Sequence, residues 1–226
     1  VDRGGGQTDR QRRPGGAALA LHARLMFYWF VKGLFYPFVR LYLGLTRDGM
    51  EHLPRHGAAI VVSNHVSYMD AILLGSASPR PVHFIVLQWM YDLLLLRWFY
   101  WGMGAIPVRA GSDGRGLRRA LRALQGGRLV GLFPEGARSQ DGRFGEARPG
   151  AALLAAMSRA PVVPAFIDGA VASLPVGGRF PRPARIHVRF GPPLRFPDGT
   201  SAREREAVAS FARRLEEAIR ELEASA

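Results

Sequence analysis

The sequence predicts an α/β fold: a single domain with a mixed, largely buried β-sheet flanked by helices, preceded by an N-terminal amphipathic, aromatic two-helix segment. Short apolar runs alternate with segments of helical spacing from residue 58 onward, which is typical of a sheet covered by helices. The last segment, residues 202–224, is the clearest helix, because its apolar residues recur on one face and arginines and glutamates fill the other. A length of 226 residues with 48% hydrophobic content suits one domain with a substantial core.

The individual elements follow from this alternation. Short apolar runs, which predict buried strands, occupy residues 58–63, 82–87, 105–108, 129–133, 162–167 and 185–190. Segments of helical spacing occupy residues 69–75, 114–124, 150–158 and 202–224. Residues 47–226 therefore form the α/β domain.

Two further segments precede this domain. Residues 1–16 are rich in glycine and arginine, and we expect a disordered basic tail that is either untethered or attracted to an anionic membrane surface. Residues 17–46 are dense in aromatic side chains but are interrupted by Lys32, Arg40 and Pro37. This pattern predicts two helices, broken near residues 33–37, that lie in one leaflet of a membrane. A true transmembrane span and a buried pair of core helices are the alternatives.

A second apolar stretch runs from Trp89 to Trp101. It is too short and too charged to span a bilayer. It fits either a core helix or a part of the surface that contacts acyl chains.

The charge of the chain limits the classes of partner that it can bind. The net charge is +13, and because Lys32 is the only lysine, nearly all of the positive charge is arginine. Arginine presents a planar fork that binds phosphate in bidentate fashion, so the composition fits nucleic acid, anionic lipid or phosphorylated small molecules. A GC-rich coding bias is the alternative source of the arginines. The absence of cysteine excludes disulfides, thiolate catalysis and cysteine-ligated metals.

His65 and Asp70 are the first candidate catalytic residues. Five positions on a continuous helix would leave their side chains about 140° apart. They meet if His65 lies in the turn before the helix and Asp70 lies in its first turns. Asp70 would then accept the Nδ1 proton and leave Nε2 free as a base for a substrate hydroxyl. The alternative is a histidine with a purely structural role.

Three more segments carry residues of the same kind. Residues 133–139 follow a predicted strand, and Gly136 permits a tight turn that points Arg138 into the same cleft. Residues 104–109 form a short strand that ends on Arg109. Residues 162–167 are a buried strand with Val163-Pro164 near its start.

These four blocks, in this order and spacing, resemble the lysophosphatidic acid acyltransferase family, the phospholipid/glycerol acyltransferases. The resemblance covers about half of the chain, residues 58–169. Asn64, His65 and Asp70 match the first block. The family commonly has threonine where Ala137 stands, and its basic residue before Pro-Gly is matched by Arg148.

The resemblance implies transfer of an acyl group to the free hydroxyl of 1-acyl-glycerol-3-phosphate, giving phosphatidic acid. The donor would be an acyl thioester, either acyl-CoA or acyl carrier protein, with no cofactor and no metal. His65 would be the general base and Asp70 would orient it. The hydroxyl would attack the thioester directly, because the chain has neither a cysteine nor a Gly-x-Ser-x-Gly elbow.

The resemblance also supplies the other site residues. Arg109 and Arg138 would hold the acceptor phosphate, while Glu135 would bind the glycerol backbone, orient an arginine or form a strand-end salt bridge. The residues expected to bind substrate are Arg109, Glu135, Gly136, Arg138 and Ser139, and those expected to support the site are Asn64, Ser67 and Arg148.

Two rival functions stay open: an acyltransferase for another lysophospholipid or polar lipid head group, and a catalytically silent lipid-binding membrane protein. The partners we expect are anionic membrane lipids, a lysophospholipid acceptor and the thioester donor. We expect no nucleic-acid partner, because nothing in the chain resembles a known nucleic-acid-binding module. We expect a monotopic protein at the cytoplasmic face of the cell membrane.

Overall fold

The computed structural model describes residues 14–109, 114–139, 143–175 and 177–225. The predicted tail, residues 1–16, lies outside the described residues except for 14–16, which are helical. The helices are α1 (Pro14–Pro37), α2 (Asp70–Ala77), α3 (Gln88–Tyr91), α4 (Leu94–Gly102), α5 (Arg115–Gln125), α6 (Gly150–Ser158), α7 (Ala170–Ser173) and α8 (Arg205–Ala224), with a π-helical turn at Phe38–Tyr42 and a 3₁₀ turn at Met50–His52.

The centre of the molecule is one seven-stranded sheet of order β1-β7-β6-β2-β5-β3-β4. Its strands are β1 (Thr46–Asp48), β2 (Ala59–Ser63), β3 (Val82–Leu87), β4 (Ile106–Val108), β5 (Leu129–Leu132), β6 (Val162–Asp168) and β7 (His187–Phe190). All neighbouring strands are parallel except β6 and β7, which are antiparallel. The prediction of a single domain with a mixed sheet is confirmed.

The six predicted strands and four predicted helices are all present, with ends shifted by at most three residues. The sequence analysis missed β1, a three-residue edge strand that contains no apolar side chain. It joins the sheet by backbone pairing with β7, which leaves no hydrophobic signal in the sequence.

The middle strands are buried on both faces. Every residue of β2 is buried, and successive side chains point to opposite faces. Ile60 and Val62 belong to the apolar cluster that packs against α5, α6 and α8. Ala59 and Val61 belong to the cluster that packs against α2 and the π-helical turn. The predicted apolar face of α8 is confirmed, because Val208, Phe211, Leu215 and Ile219 are buried.

The N-terminal segment differs from the prediction of two helices broken near residues 33–37. Helix α1 continues through Gly33 to Pro37, and the chain then winds directly into the π-helical turn, where the N–H of Leu43 donates to the carbonyl of Phe38 at 3.2 Å. A glycine costs a helix only about 1 kcal/mol. Pro37 lacks an N–H and its ring crowds the carbonyl of Gly33, four residues earlier, so the irregularity is a local widening and not a break.

This segment also packs into the domain on one side. Tyr28, Val39 and Leu43 are buried, and the hydroxyl of Tyr28 accepts a hydrogen bond from the N–H of Val82. Met26 and Phe30 point outward and are exposed. The segment thus combines the core role and the exposed role that the sequence left as alternatives. Among the described residues, no helix has both the length and the apolar character needed to cross a bilayer.

Candidate active site

The candidate site lies at the carboxyl end of the parallel strands, where α/β proteins place their functional loops. His65 follows β2, and residues 133–139 follow β5, which is the neighbour of β2 in the sheet. Because these two strands are parallel, the two loops leave the same edge and meet there. In the described part of the chain, no group of three or more His, Asp or Glu side chains is placed to hold a metal ion.

His65 and Asp70 form the hydrogen-bonded pair that their spacing predicted. Asp70 is the first residue of α2 and His65 lies in the turn before it. The Nδ1 of His65 is 2.8 Å from the Oδ2 of Asp70; Asp70 is fully buried, whereas the His65 side chain is 23% exposed. An ionised carboxylate can only accept, so Nδ1 carries the proton and Nε2 keeps the lone pair that a general base needs.

Asp70 is held in place by the backbone of the turn. Its Oδ2 also accepts hydrogen bonds from the N–H groups of Val66 at 2.7 Å and Ser67 at 2.8 Å. These two backbone hydrogen bonds orient the carboxylate independently of the imidazole. Its Oδ1 is buried without a hydrogen-bond partner among the described residues. The three hydrogen bonds of this carboxylate are therefore all made by Oδ2.

Asn64 and Ser67 support this turn. Both groups of the Asn64 side-chain amide bond the backbone of Ile167 on β6, with the nitrogen donating at 2.9 Å and the oxygen accepting at 2.7 Å. The hydroxyl of Ser67 donates to the carbonyl of Leu174 at 3.0 Å. Both side chains are buried, so in this structure they hold the His65 turn against the neighbouring strand and loop.

An aromatic stack holds the imidazole ring, and the sequence analysis did not find it. The ring of Phe133 lies 4.2 Å from the His65 ring and nearly parallel to it, with an angle of 13° between their planes. Phe84 also stacks on Phe133, with 5.8 Å between the ring centroids. A flat neighbour restricts rotation of the imidazole, and its negative face favours the cation that forms when the base takes a proton. The available signal was that Phe133 is an aromatic residue at the end of the predicted strand 129–133.

Glu135 joins the two loops. Its Oε1 accepts from the N–H of His65 at 2.7 Å and its Oε2 accepts from the N–H of Gly145 at 3.2 Å. Burial raises the pKa of this carboxyl, while the two backbone donors lower it. One oxygen thus fixes the backbone of His65 and the other fixes the backbone of Gly145. A contact between Glu135 and substrate and a strand-end salt bridge of Glu135 both stay predictions.

The turn after Glu135 carries the predicted glycine and arginines. Gly136 has a φ of +70°, and a Cβ there would lie 3.1 Å from the guanidinium carbon of Arg148, so the turn requires a residue without a side chain. The N–H of Ser139 donates to the carbonyl of His65 at 2.7 Å. Arg138 stacks over the ring of Tyr68, 3.5 Å from its centroid. Arg138 therefore lies beside the His65 turn, and Arg148 lies beside the turn at Gly136.

Arg109 occupies a different place. It follows β4 at the edge of the sheet, and β5 and β3 separate this strand from β2, a lateral distance of about 14 Å at the usual strand spacing. A small polar pocket surrounds it, whose lining residues are Gln88, Pro107, Arg109, Arg115, Gly116 and Arg119. The structure thus groups Arg109 with two arginines of α5 that the sequence analysis did not select. The available signal was that Arg115 and Arg119 are four positions apart at the start of a predicted helix, which places them on one face.

An apolar groove lies next to the aromatic stack. It lies between α1, α2, β3 and α4 and is partly open to solvent. Phe84 belongs both to this lining and to the stack on His65. The lysine in the lining, Lys32, donates to the carbonyl of Ser78, and burial, assisted by the charge of Arg47, lowers its pKa to about 8. The groove therefore places an apolar surface beside the ring stack that contacts His65.

Comparison with known proteins identifies the family of this chain. A family model described as Acyltransferase matches residues 45–168. The chloroplastic 1-acyl-sn-glycerol-3-phosphate acyltransferase of Arabidopsis thaliana is 32% identical over 164 residues, which cover 68% of this chain and 44% of that protein. The enzyme of the same name from Bacillus subtilis is 26% identical over 182 residues, covering 80% of this chain and 88% of the relative.

A solved structure shows the same fold. The crystal structure of the 1-acyl-sn-glycerophosphate (LPA) acyltransferase PlsC from Thermotoga maritima superposes with a TM-score of 0.67 at 25% identity, covering 92% of this chain and 83% of that one. The chain spans less than half the length of the Arabidopsis protein and of its Brassica napus counterpart. Because the family model covers more than half of this chain, from before β2 to the end of β6, the chain belongs to the acyltransferase family.

Proposed function

We propose that this protein is an O-acyltransferase that transfers a fatty acyl group from an acyl thioester to the free hydroxyl of 1-acyl-glycerol-3-phosphate, which gives phosphatidic acid. The observation that carries the proposal is the hydrogen bond of 2.8 Å between His65 Nδ1 and Asp70 Oδ2. It leaves Nε2 as a base at the edge of a sheet that also bears arginines. The names of the relatives from Arabidopsis thaliana and Bacillus subtilis support the acceptor.

The reaction uses these groups in sequence. His65 Nε2 takes the proton of the acceptor hydroxyl as the oxygen attacks the thioester carbonyl carbon. The tetrahedral intermediate then collapses, the carbon–sulfur bond breaks, and the leaving thiolate takes the proton from the imidazolium. Asp70 stabilises the imidazolium through its hydrogen bond with Nδ1. The stacked ring of Phe133 also stabilises this cation. The products are the ester and the free thiol.

The proposal is tested by thiol release from an acyl-CoA and from an acylated carrier protein across a panel of lysolipid acceptors. We expect the fastest release with 1-acyl-glycerol-3-phosphate. Faster release with a different lysolipid would favour the rival acyltransferase. Binding of lipid without thiol release from either donor would favour the silent lipid-binding protein.

We expect the arginines to act on acceptor binding. Arg138→Ala and Arg109→Ala should each raise the acceptor KM about 10- to 100-fold, because a charge-assisted hydrogen bond contributes about 1.5–3 kcal/mol. The measurement is the steady-state KM for acceptor and for donor in each variant. Arg203→Ala, an exposed arginine ahead of α8, is the matched control and should change neither. A raised donor KM with an unchanged acceptor KM would move the residue to the donor site.

The apolar groove is proposed to hold an acyl chain. Gly75 of α2 lines it, and a Cβ there would lie at ordinary contact distance, 3.5 Å from the Tyr28 hydroxyl and 3.7 Å from the Phe84 ring. We therefore expect Gly75→Ala to be tolerated and Gly75→Leu to fill the groove. The leucine variant should lose turnover on long-chain substrates while keeping it on short-chain ones. Donor and acceptor chain lengths are varied separately to show which chain occupies the groove. An unchanged chain-length profile in a folded Gly75→Leu variant would place the acyl chain elsewhere.

We also propose that the protein associates with one leaflet of the membrane, at the cytoplasmic face, through the exposed side of α1. The support is the run of large apolar side chains that point away from the domain along this helix, among them Met26, Phe30 and Leu34. A helix with an exposed apolar side can lie in the interface and bury that side among the lipid chains. Vesicle flotation of a Met26→Glu/Phe30→Glu variant tests this, and flotation equal to that of the parent protein would contradict it.

A further inference from the structure

The hairpin formed by α3 and α4 carries an exposed apolar surface that the proposed chemistry does not use. We define the leucine ridge as Leu93, Leu94, Leu95, Leu96 and Trp98. Leu94 and Leu95 are each 84% exposed, and the other three are also exposed. Large exposed apolar patches of this kind mark sites of interaction with a membrane or another protein.

The tryptophans of the chain concentrate on this surface. The chain has four tryptophans, of which Trp89, Trp98 and Trp101 lie on α3 and α4 and Trp29 lies on α1. Each is between 44% and 64% exposed. A tryptophan in a water-soluble fold is usually mostly buried, whereas exposed tryptophan rings are enriched at the boundary between lipid chains and head groups. The distribution favours a lipid surface as the partner.

The ridge continues directly into the exposed side of α1. The ring of Phe27 on α1 contacts the ring of Trp98 edge-on at 5.8 Å, and the guanidinium of Arg24 lies 4.3 Å above the ring of Trp101. The two helices therefore present one surface, in which α1 supplies Met26 and Phe30 and α4 supplies the leucines.

The charges on this surface select an anionic partner. Besides Lys32, which lines the groove, residues 14–42 and 88–102 contain the cations Arg24, Arg40 and Arg97, and Asp92 is the sole carboxylate in these two segments. Asp92 already accepts hydrogen bonds from the side chain of Gln88 at 2.9 Å. A symmetric contact with a second copy would place this cationic surface against itself, and like charges across an interface are costly. Anionic lipid head groups complement it.

We propose that the leucine ridge inserts into the acyl-chain layer of an anionic leaflet, as a second point of insertion beside α1. The apolar groove lies between these two elements, since Tyr28 and Phe35 of α1 line it together with Phe99 and Tyr100 of α4. With both elements inserted, the open side of the groove faces the lipid chains. An acyl chain then enters the groove without crossing water, a consequence that rests on the proposed acyltransferase function.

The test measures vesicle binding of the full chain after charged residues have been substituted into the leucine ridge. Leu94→Glu/Leu95→Glu should weaken the partition onto vesicles of phosphatidylglycerol and phosphatidylcholine by at least about tenfold, because two side chains would no longer bury their apolar area. Met157→Glu is the matched control: Met157 is 48% exposed and lies on α6, in the layer across the sheet, so its partition should not change. Both sites are exposed, so circular dichroism is expected to show folded protein for both variants.

A second measurement reports insertion directly. In a variant that retains only Trp98, with the other three tryptophans changed to phenylalanine, the fluorescence should shift to shorter wavelength on vesicles and be quenched by lipids brominated on their acyl chains. Unchanged partition of the Leu94→Glu/Leu95→Glu variant, or no quenching of Trp98, would overturn the proposal. Conversion of a dimer to a monomer by the double variant, with vesicle binding intact, would instead assign the ridge to contact between copies.

The activity of the same variant separates this proposal from the proposed function. Leu94→Glu/Leu95→Glu should retain thiol release with a short-chain, water-soluble acceptor and lose it with a long-chain acceptor embedded in vesicles. If the parent protein releases no thiol with any acceptor while Trp98 is still quenched, the proposed function fails and the insertion of the ridge stands.

Discussion

Replacement of His65 by alanine is expected to lower the turnover of acyl transfer by about 10²- to 10⁴-fold, the usual contribution of a general base. The variant loses the group that takes the hydroxyl proton, while Asp70 keeps its two hydrogen bonds from the backbone of Val66 and Ser67. The turn is also held by Glu135 and Ser139 through the backbone of residue 65, and alanine preserves both bonds. The fold should therefore survive.

The measurement is kcat from thiol release, with thermal unfolding to show that the variant is folded. His65→Gln is a useful companion, because glutamine keeps a polar side chain of similar reach but cannot take the proton at neutral pH. It should be as impaired as the alanine variant. Turnover near that of the parent protein in either folded variant would remove His65 from the catalytic role.

Replacement of Asp70 by asparagine should produce a loss of kcat in the same range, about 10²- to 10⁴-fold, and also a loss of stability. In one orientation the amide oxygen takes the place of Oδ2, but the charge that stabilises the imidazolium is gone. In the other, the amide nitrogen faces the donors of Val66 and Ser67, and Nδ1 of His65 has to accept instead of donate. The proton then sits on Nε2, which can no longer act as a base.

The stability loss has a separate cause. In the first orientation the amide nitrogen occupies the position of Oδ1, which is buried and has no hydrogen-bond partner among the described residues. A buried unsatisfied donor costs about 1–3 kcal/mol, so the midpoint of thermal unfolding should fall.

A second histidine–aspartate pair supplies the control. Nε2 of His187 lies 2.6 Å from Oδ2 of Asp48, whose side chain is 72% exposed. Asp48→Asn removes an exposed carboxylate on the edge strand β1 from its histidine partner on β7, and should leave both kcat and stability close to those of the parent protein. Equal effects of Asp48→Asn and Asp70→Asn on kcat would show that loss of a charge alone, and not orientation of His65, explains the result.

Features that depend on neighbouring residues in the sequence were predictable, and features that depend on distant residues were not. Strand β2 was predictable because it is buried on both faces and therefore forms a continuous apolar run. Strand β1 was not, because it is a polar strand of three residues that depends on β7 for its place in the sheet. For α1 the sequence left a core role and an exposed role as alternatives. Only contacts with distant residues, such as that of the Tyr28 hydroxyl with the N–H of Val82, decide which side is buried.

The His65–Asp70 pair is the clearest case of local determination. His65 and Asp70 are five residues apart, so a turn followed by the start of a helix is enough to join them, and that much the sequence determined by itself. It also determined the α/β class and the family, because buried strands and the blocks around them are local patterns. Only the tertiary structure decided what surrounds the pair. Phe133 reaches the imidazole and Glu135 reaches its backbone because β5 pairs with β2, while Arg109 lies apart because β4 is at the edge. The physical reason is that hydrophobic periodicity specifies which residues are buried but not which strands pair, and the pairing sets every distance across the site.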